Sequence, residues 1–109
     1  MITIKVRSRN EDINTIRVIG HAGYAANGED IICAAVSALA ISLLNALEEV
    51  AQAVIEKRID EGDIFIKVPP QQDEQRHRAA QVLLRSFFLS AENLARENPR
   101  YVKVETQEE

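Results

Sequence analysis

Apolar and polar residues alternate along three short segments of the chain, residues 2–7, 13–19 and 64–68. Alternation with a period of two is typical of a β-strand that buries one face. Polar stretches containing Asn, Asp or Gly lie beside these segments, as expected for strand connections. Residues 101–104 form a fourth and shorter segment of the same kind. The pattern therefore predicts about four strands.

Two longer segments follow the period of a helix. The first opens after Asp30 and carries no charged residue from Ile31 to Leu47. Its polar residues recur at steps of three or four and form one narrow stripe, made of Ser42, Asn45, Glu49, Gln52 and Glu56. A helix that is apolar on nearly all sides is covered by protein or by lipid. Protein is favoured here, from the sheet and from other helices or a partner subunit, because the apolar stretch is short for a membrane span and contains Ser and Asn.

The second helix is predicted to start near Asp73, after Pro69-Pro70, and to run to about Glu97, where Asn98-Pro99 ends it. The resulting order of elements is β-β-α-β-α-β. This order indicates one α+β domain over residues 1–109, with a mainly antiparallel sheet of about four strands packed on two helices. The first helix is expected to be central and largely buried.

The only cysteine of the chain lies where the first helix is predicted to begin. With Asp30 as the N-cap, Cys33 would be the third helical residue, close to the unpaired N–H groups and the positive end of the dipole. That field favours the nucleophilic thiolate, and the same N–H groups could stabilise an oxyanion during acyl transfer. His21 precedes the helix in a loop that contains Gly23 and Gly28, and it could act as the base of a Cys/His pair. Asp30 is also a candidate for orienting the imidazole.

Each of these residues also has a purely structural interpretation. A lone cysteine in an apolar helix is commonly a small core residue, and a histidine in a turn often makes only a structural hydrogen bond. Ser37, four residues after Cys33, is either a packing residue or a contact of the thiol or imidazole. Gly23 and Gly28 serve either tight turns or the hinges of a lid. His77, in a charged segment, is interpreted as a solvated surface residue.

Around these residues the sequence resembles the ribosomal-processing cysteine protease family. The family signature is Gly-His-Ala after a strand, a glycine-containing loop, then Asp, two aliphatic residues and Cys-Ala-Ala-Val-Ser. The matching residues are Gly20-His21-Ala22, Gly28, Asp30-Ile31-Ile32 and Cys33-Ala34-Ala35-Val36-Ser37. The motif is long and contiguous, and the length and the order of elements fit over nearly the whole chain.

The resemblance implies a dimeric cytoplasmic endopeptidase that removes a short N-terminal extension from the precursor of large-subunit ribosomal protein twenty-seven, after a pair of aromatic residues. Cys33 would be the nucleophile and His21 its base, and the loop of residues 22–29 would close over the peptide. One alternative is a non-enzymatic dimeric adaptor that binds a ribosomal or other basic tail. A thiol-based redox sensor is a third interpretation, weakened by the lack of a second cysteine.

Composition narrows these possibilities. A length of 109 residues with 46% hydrophobic residues fits one globular domain. The net charge of -4 argues against direct nucleic-acid binding and favours modest attraction of a basic peptide. One cysteine and two scattered histidines lack the spacing of metal ligands, so neither a metal nor another cofactor is expected. A single thiol and an N-terminus without signal-peptide features predict a cytoplasmic protein that does not bind membranes.

Overall fold

The structure is a computed structural model that describes the backbone of residues 1–20 and 27–109, and the side chains of residues 1–20 and 31–109. Its elements in chain order are β1 (Ile2–Arg9), β2 (Asp12–Ile19), α1 (Asn27–Asn45), a π-helical turn (Ala46–Val50), β3 (Glu56–Asp60), β4 (Asp63–Lys67), α2 (Glu74–Glu97) and β5 (Val102–Glu108).

The five strands form one sheet in the order β3-β4-β2-β1-β5. Every neighbouring pair is antiparallel except β1 and β5, which run parallel. Alternate strand residues such as Ile4, Ile16 and Ile66 join residues of both helices in a single core cluster. Both helices therefore cover one face of the sheet, and no helix of the described part of the chain covers the other, which we call the open face. The predicted α+β fold with a mainly antiparallel sheet is confirmed.

The β1–β2 hairpin fixes the register of the sheet. Asn10 and Glu11 both have positive φ, 52° and 72°, as in the two-residue turn whose twist matches that of paired strands. The turn brings Ile4 opposite Val18 on the buried face. This register places the end of β2, and Gly20 after it, beside the start of β1.

The strand β3 was not predicted, because apolar and polar residues do not alternate regularly along its sequence. All five of its residues, Glu56 to Asp60, are exposed, and four of them are charged. Charged residues are typical of edge strands, where they oppose pairing with another chain. The predicted continuation of the first helix to Glu56 is therefore wrong. The polar residues before β4 form a turn that joins it to β3.

The long helical segment ends at Val50, six residues before the predicted end. Gln52 adopts a left-handed conformation with φ 54°, and the Ala53 N–H then donates to the Leu47 carbonyl at 2.9 Å. This hydrogen bond satisfies a carbonyl that the helix leaves free at its end. The chain can then turn back into the sheet as β3.

Burial of α1 within one chain is confined to one face. Val36, Ala40, Leu43 and Leu44 are at most 5% exposed, but only 28% of the segment Ile31–Val50 is buried. The expectation of a largely buried helix is thus not met within a single chain. The physical reason is the two-layer architecture, in which the sheet covers each helix from one side only.

The end of the chain is more ordered than predicted. α2 has the predicted bounds, and the Asp73 side chain caps it by accepting from the Arg76 N–H at 3.0 Å. β5 continues to Glu108 rather than ending at residue 104. The Glu109 N–H also donates to the Ser8 carbonyl at 2.9 Å. Pairing with β1 therefore orders the polar tail beyond the predicted strand.

Candidate active site

Cys33 lies on α1, one turn further into the helix than predicted. The helix begins at Asn27, so Asp30 is its fourth residue and Cys33 its seventh. The prediction that Asp30 is the N-cap and that Cys33 lies in the first turn is therefore wrong. Acidic residues are favoured throughout the first turn of a helix, so Glu29-Asp30 suits this earlier start as well as a later one.

This shift changes what the helix terminus can offer the thiol. Only the first four N–H groups of an α-helix lack an intrahelical partner, and in α1 they belong to residues 27–30. At a rise of about 1.5 Å per residue, Cys33 lies about 9 Å along the axis from the first residue. The effect of the dipole fades beyond the first turn. Activation of the thiol therefore depends more on a base than the sequence suggested.

The Cys33 side chain lies at the boundary between the core and the surface. It is a free cysteine of intermediate exposure, and it packs against the edge of the core cluster. Val36 and Ala40 continue the same helix face inward and are 1% and 0% exposed. Cys33 is thus held by packing on one side and open on the other, which does not favour a purely structural core role.

Ser37 is one turn beyond Cys33 and is half-buried. Within the described part of the chain its hydroxyl has no hydrogen-bond partner, so no such bond joins it to the thiol. A contact between Ser37 and the imidazole stays a prediction.

Gly20, which directly precedes His21, is held from two sides. Its N–H donates to the Gly62 carbonyl at 2.9 Å, and its φ is 101°, a conformation that residues with a side chain rarely adopt. A Cβ at this position would lie 2.4 Å from the Met1 carbonyl oxygen. Only glycine fits here, and it fixes the point at which the chain leaves the sheet toward His21. In the sequence, Gly20 is a motif residue that follows a strand, but nothing near it along the chain indicates that this position requires glycine.

Several predicted site residues lie outside the described part of the structure. His21 and Gly23 belong to residues 21–26, which the structure does not describe, and the Asp30 side chain is likewise excluded. Gly28 is the second residue of α1, so the last three positions of the predicted loop of residues 22–29 are helical. Gly28 is therefore not a loop hinge. The roles of His21 as base, Gly23 as hinge and Asp30 as orienting group stay predictions.

A carboxylate lies beside the end of β2, but it is already engaged. Asp63 is paired in register with Ile19. It accepts two hydrogen bonds from Arg17, at 3.1 and 2.8 Å, and one from Arg58 at 3.3 Å. The hydrogen-bonded Arg17 guanidinium lowers the pKa of Asp63, and Asp63 raises the pKa of Arg17. Both carboxylate oxygens are used, so Asp63 braces the sheet and is not a free catalytic group.

His77 is a structural residue and not the solvated one that was predicted. Its Nε2 lies 2.7 Å from an Asp12 carboxylate oxygen, and its Nδ1 accepts the Gln71 N–H at 3.2 Å. A backbone N–H can only donate, so Nδ1 carries no proton and Nε2–H donates to Asp12. Both ring nitrogens are occupied in joining the start of α2 to the β1–β2 hairpin. This leaves no nitrogen of His77 for catalysis.

No metal cluster is found among the described residues, and Cys33 does not line the two grooves described below. No group of three or more His, Cys, Asp or Glu side chains comes together there. Grooves of about 780 and 630 Å³ lie on the open face of the sheet and beside the β1–β2 hairpin, and Cys33 lines neither of them.

Comparison with known proteins places these features in a family. The model of the cysteine protease Prp family matches residues 1–103. The ribosomal processing cysteine protease Prp of Bacillus subtilis (strain 168) is 28% identical over 102 residues, which cover 92% of this chain and 91% of that protein.

Solved structures share the fold from end to end. The crystal structure of SMU.848 from Streptococcus mutans has a TM-score of 0.88 and 31% identity, covering 100% of this chain and 96% of the other. The ribosomal processing protease Prp from S. aureus was solved with a substrate peptide and with a covalently linked product peptide. These two structures have TM-scores of 0.85 and 0.83 and identities of 21% and 22%, and each covers 98% of this chain and 100% of the other. Since the family match spans nearly the whole chain, this protein belongs to the Prp family of cysteine proteases.

Proposed function

We propose that this cysteine protease removes the N-terminal extension from the precursor of large-subunit ribosomal protein twenty-seven, with Cys33 as nucleophile and His21 as base. The observation that carries the proposal is the partly accessible Cys33 on α1, within a motif that a ribosomal-processing family shares. Membership in a protease family makes the alternative of a non-enzymatic adaptor unnecessary.

In the proposed reaction His21 takes the proton of the Cys33 thiol, and the thiolate attacks the carbonyl carbon of the scissile bond. The imidazolium then protonates the leaving amine, and a thioester joins the substrate to the sulfur. Water, deprotonated by His21, hydrolyses the thioester and restores the thiol. The covalently linked product peptide of the S. aureus protein supports a covalent route. Residues 27–30 hold the free N–H donors of α1, so they are the donors on this helix for the oxyanion.

The decisive experiment incubates the protein with the precursor of its own ribosomal protein and measures the product by mass spectrometry. We expect a shortened protein with the intact chain and none with Cys33→Ala. His21→Ala should also abolish cleavage and slow iodoacetamide alkylation of Cys33 at pH 7, because the base is lost. A shortened product from the Cys33→Ala variant would contradict the assignment. Thermal melts of Cys33→Ala and the wild type should nearly coincide, since the side chain is only partly buried and alanine favours helix.

We also propose that a second copy of the chain covers the exposed face of α1. Ile31 and Val50 are 66% and 74% exposed, and Ala34 and Ala38 lie exposed between them. Small residues allow close approach of two helices. The segment Ile31–Val50 is long and apolar enough to cross a membrane by length and composition alone. Its opposite face, however, belongs to the core formed with the sheet, and lipid on all sides would require that core to be dismantled.

A homodimer in the cytoplasm is therefore the proposed state of the protein. A reducing compartment would keep the single thiol available for catalysis.

A further inference from the structure

The open face of the sheet carries charge of the opposite sign to the whole chain. This face is defined near its centre by two rows of cross-strand partners, Gln107–Arg7–Thr15–Lys67–Glu56 and Glu105–Lys5–Arg17–Phe65–Arg58, each of which contains one carboxylate. Across all five strands the face holds seven cations, Lys5, Arg7, Arg9, Arg17, Arg58, Lys67 and Lys103, against five carboxylates, Asp12, Glu56, Asp60, Asp63 and Glu105, and Glu109 just after β5 also reaches Arg7. The chain as a whole has a net charge of -4.

The cations near the centre of this face are the ones left available to a ligand. Arg17 and Arg58 are paired with Asp63 at one end of the face. Lys5 and Lys67, by contrast, have no ion-pair partner among the described residues. Arg7 makes only a 3.3 Å hydrogen bond to Gln107 and a 3.8 Å contact with Glu109. Three weakly held or unpaired cations thus surround the middle of the sheet.

An aromatic ring lies between these cations. Phe65 is half-buried on the same face, with the Arg58 guanidinium 5.7 Å from its centroid. Phe65, Lys5 and Arg7 line the groove of about 780 Å³. Phe65, Arg7 and Lys67 also line a groove of about 630 Å³, so Arg7 and Phe65 border both grooves. The side chain of a core phenylalanine would lie on the opposite face of the sheet, against the helices.

We propose that this open face binds single-stranded RNA. Cations that contact phosphates, together with an aromatic or guanidinium plane on which a base can stack, are how sheet surfaces bind unpaired nucleotides. An acidic peptide would use the cations but not the ring. The Thr15 hydroxyl and the Gln107 amide line the same groove and can bond to a ribose 2′-hydroxyl, which DNA lacks. The net charge of the whole chain predicted no nucleic-acid binding, because a single total does not reveal that cations gather on one face.

The test measures fluorescence anisotropy of a labelled mixed-sequence 12-nucleotide RNA with the full chain, in the Cys33→Ala background, from 50 to 200 mM salt. We expect a Kd of roughly 10 µM at low salt, within the usual range of sequence-independent binding. The triple variant Lys5→Gln/Arg7→Gln/Lys67→Gln should raise Kd at least about tenfold. It should also reduce the slope of log K against log salt by about 2, since each phosphate contact on a single strand contributes about 0.7.

Two further variants separate stacking from charge. Phe65→Leu should raise Kd about fivefold or more while leaving the salt slope unchanged. The matched control Arg78→Gln/Arg85→Gln/Arg96→Gln removes the same charge from exposed positions of α2 and should change Kd less than about twofold. Circular dichroism and thermal melts verify that each variant is folded.

The inference is overturned if the protein does not bind RNA at 50 mM salt, or if the α2 control weakens binding as much as the open-face variant. Tighter binding of DNA of the same sequence, or of an oligoglutamate peptide, would also overturn it. The triple variant of the open face, made in a chain that keeps Cys33, should still cleave the precursor. Retained cleavage without RNA binding would therefore refute this inference and leave the proposed function intact.

Discussion

Replacing Gly20 with alanine tests whether the residue before His21 positions the active site. Alanine must either adopt φ near 101° or move the chain. Holding a residue with a side chain in this region costs about 1–3 kcal/mol. The new Cβ would also lie 2.4 Å from the Met1 carbonyl, whereas ordinary contacts begin at 3.4 Å. The backbone must therefore shift by up to about 1 Å, and overpacking of this kind costs about 1–3 kcal/mol.

Together these terms predict a loss of about 2–6 kcal/mol of unfolding free energy. Because a small domain loses roughly 1–3 kcal/mol of stability per molar urea, the urea midpoint should fall by about 1–3 M. The cleavage rate should fall further than stability explains. A misplacement of about 1 Å in a catalytic group can cost about a hundredfold in rate, and we expect kcat/KM to drop by about that factor while the variant is fully folded.

Gly62→Ala is the matched control, because it also replaces a glycine of positive φ, 73°, in the turn that receives the Gly20 N–H. It should lower stability by about 1–2 kcal/mol and leave kcat/KM within a few-fold of the wild type. Urea unfolding followed by circular dichroism, with peptide cleavage below the transition, distinguishes the two variants. Equal midpoints and equal cleavage rates for Gly20→Ala and wild type would refute the reasoning.

Three further predictions concern the sheet, α2 and α1. The pKa of Asp63 is lowered from 3.8 by Arg17, so the folded state gains stability from this carboxylate above about pH 4 and loses it as the pH falls through the lowered pKa. Asp63→Asn should therefore unfold at lower urea than the wild type at pH 7, and this difference should shrink as the pH falls below the ordinary pKa of 3.8; a difference that stays constant would contradict the pairing. Gln81 bonds both the N–H and the carbonyl of one β2 residue at 2.9 Å, so Gln81→Ala should cost about 1–3 kcal/mol in urea unfolding, whereas the exposed Gln75→Ala should cost less than about 0.5 kcal/mol. Ala38→Glu on the exposed face of α1 should convert the proposed dimer into a monomer in light scattering, and an unchanged mass would place the interface elsewhere.

Much of the architecture and the membership in a cysteine protease family could be predicted from the sequence. Alternation identified four of the five strands because each buries one face, and α2 had both a cap and a Pro-containing end. The contiguous motif around Cys33 indicated a cysteine protease before any fold was known. These features depend on neighbours within a few residues, so local pattern is sufficient.

Tertiary contacts decided the rest. β3 exists because its backbone bonds to β4, although every side chain is exposed. The earlier start of α1 moved Cys33 away from the free N–H groups, and the approach of Met1 explains why Gly20 must be glycine. Pairing of His77 with Asp12 joins residues 65 positions apart. The cationic open face likewise arises only when separate strands align. None of these partners is near in sequence, and hydrogen bonding and charge alignment between distant segments leave no periodic signal along the chain.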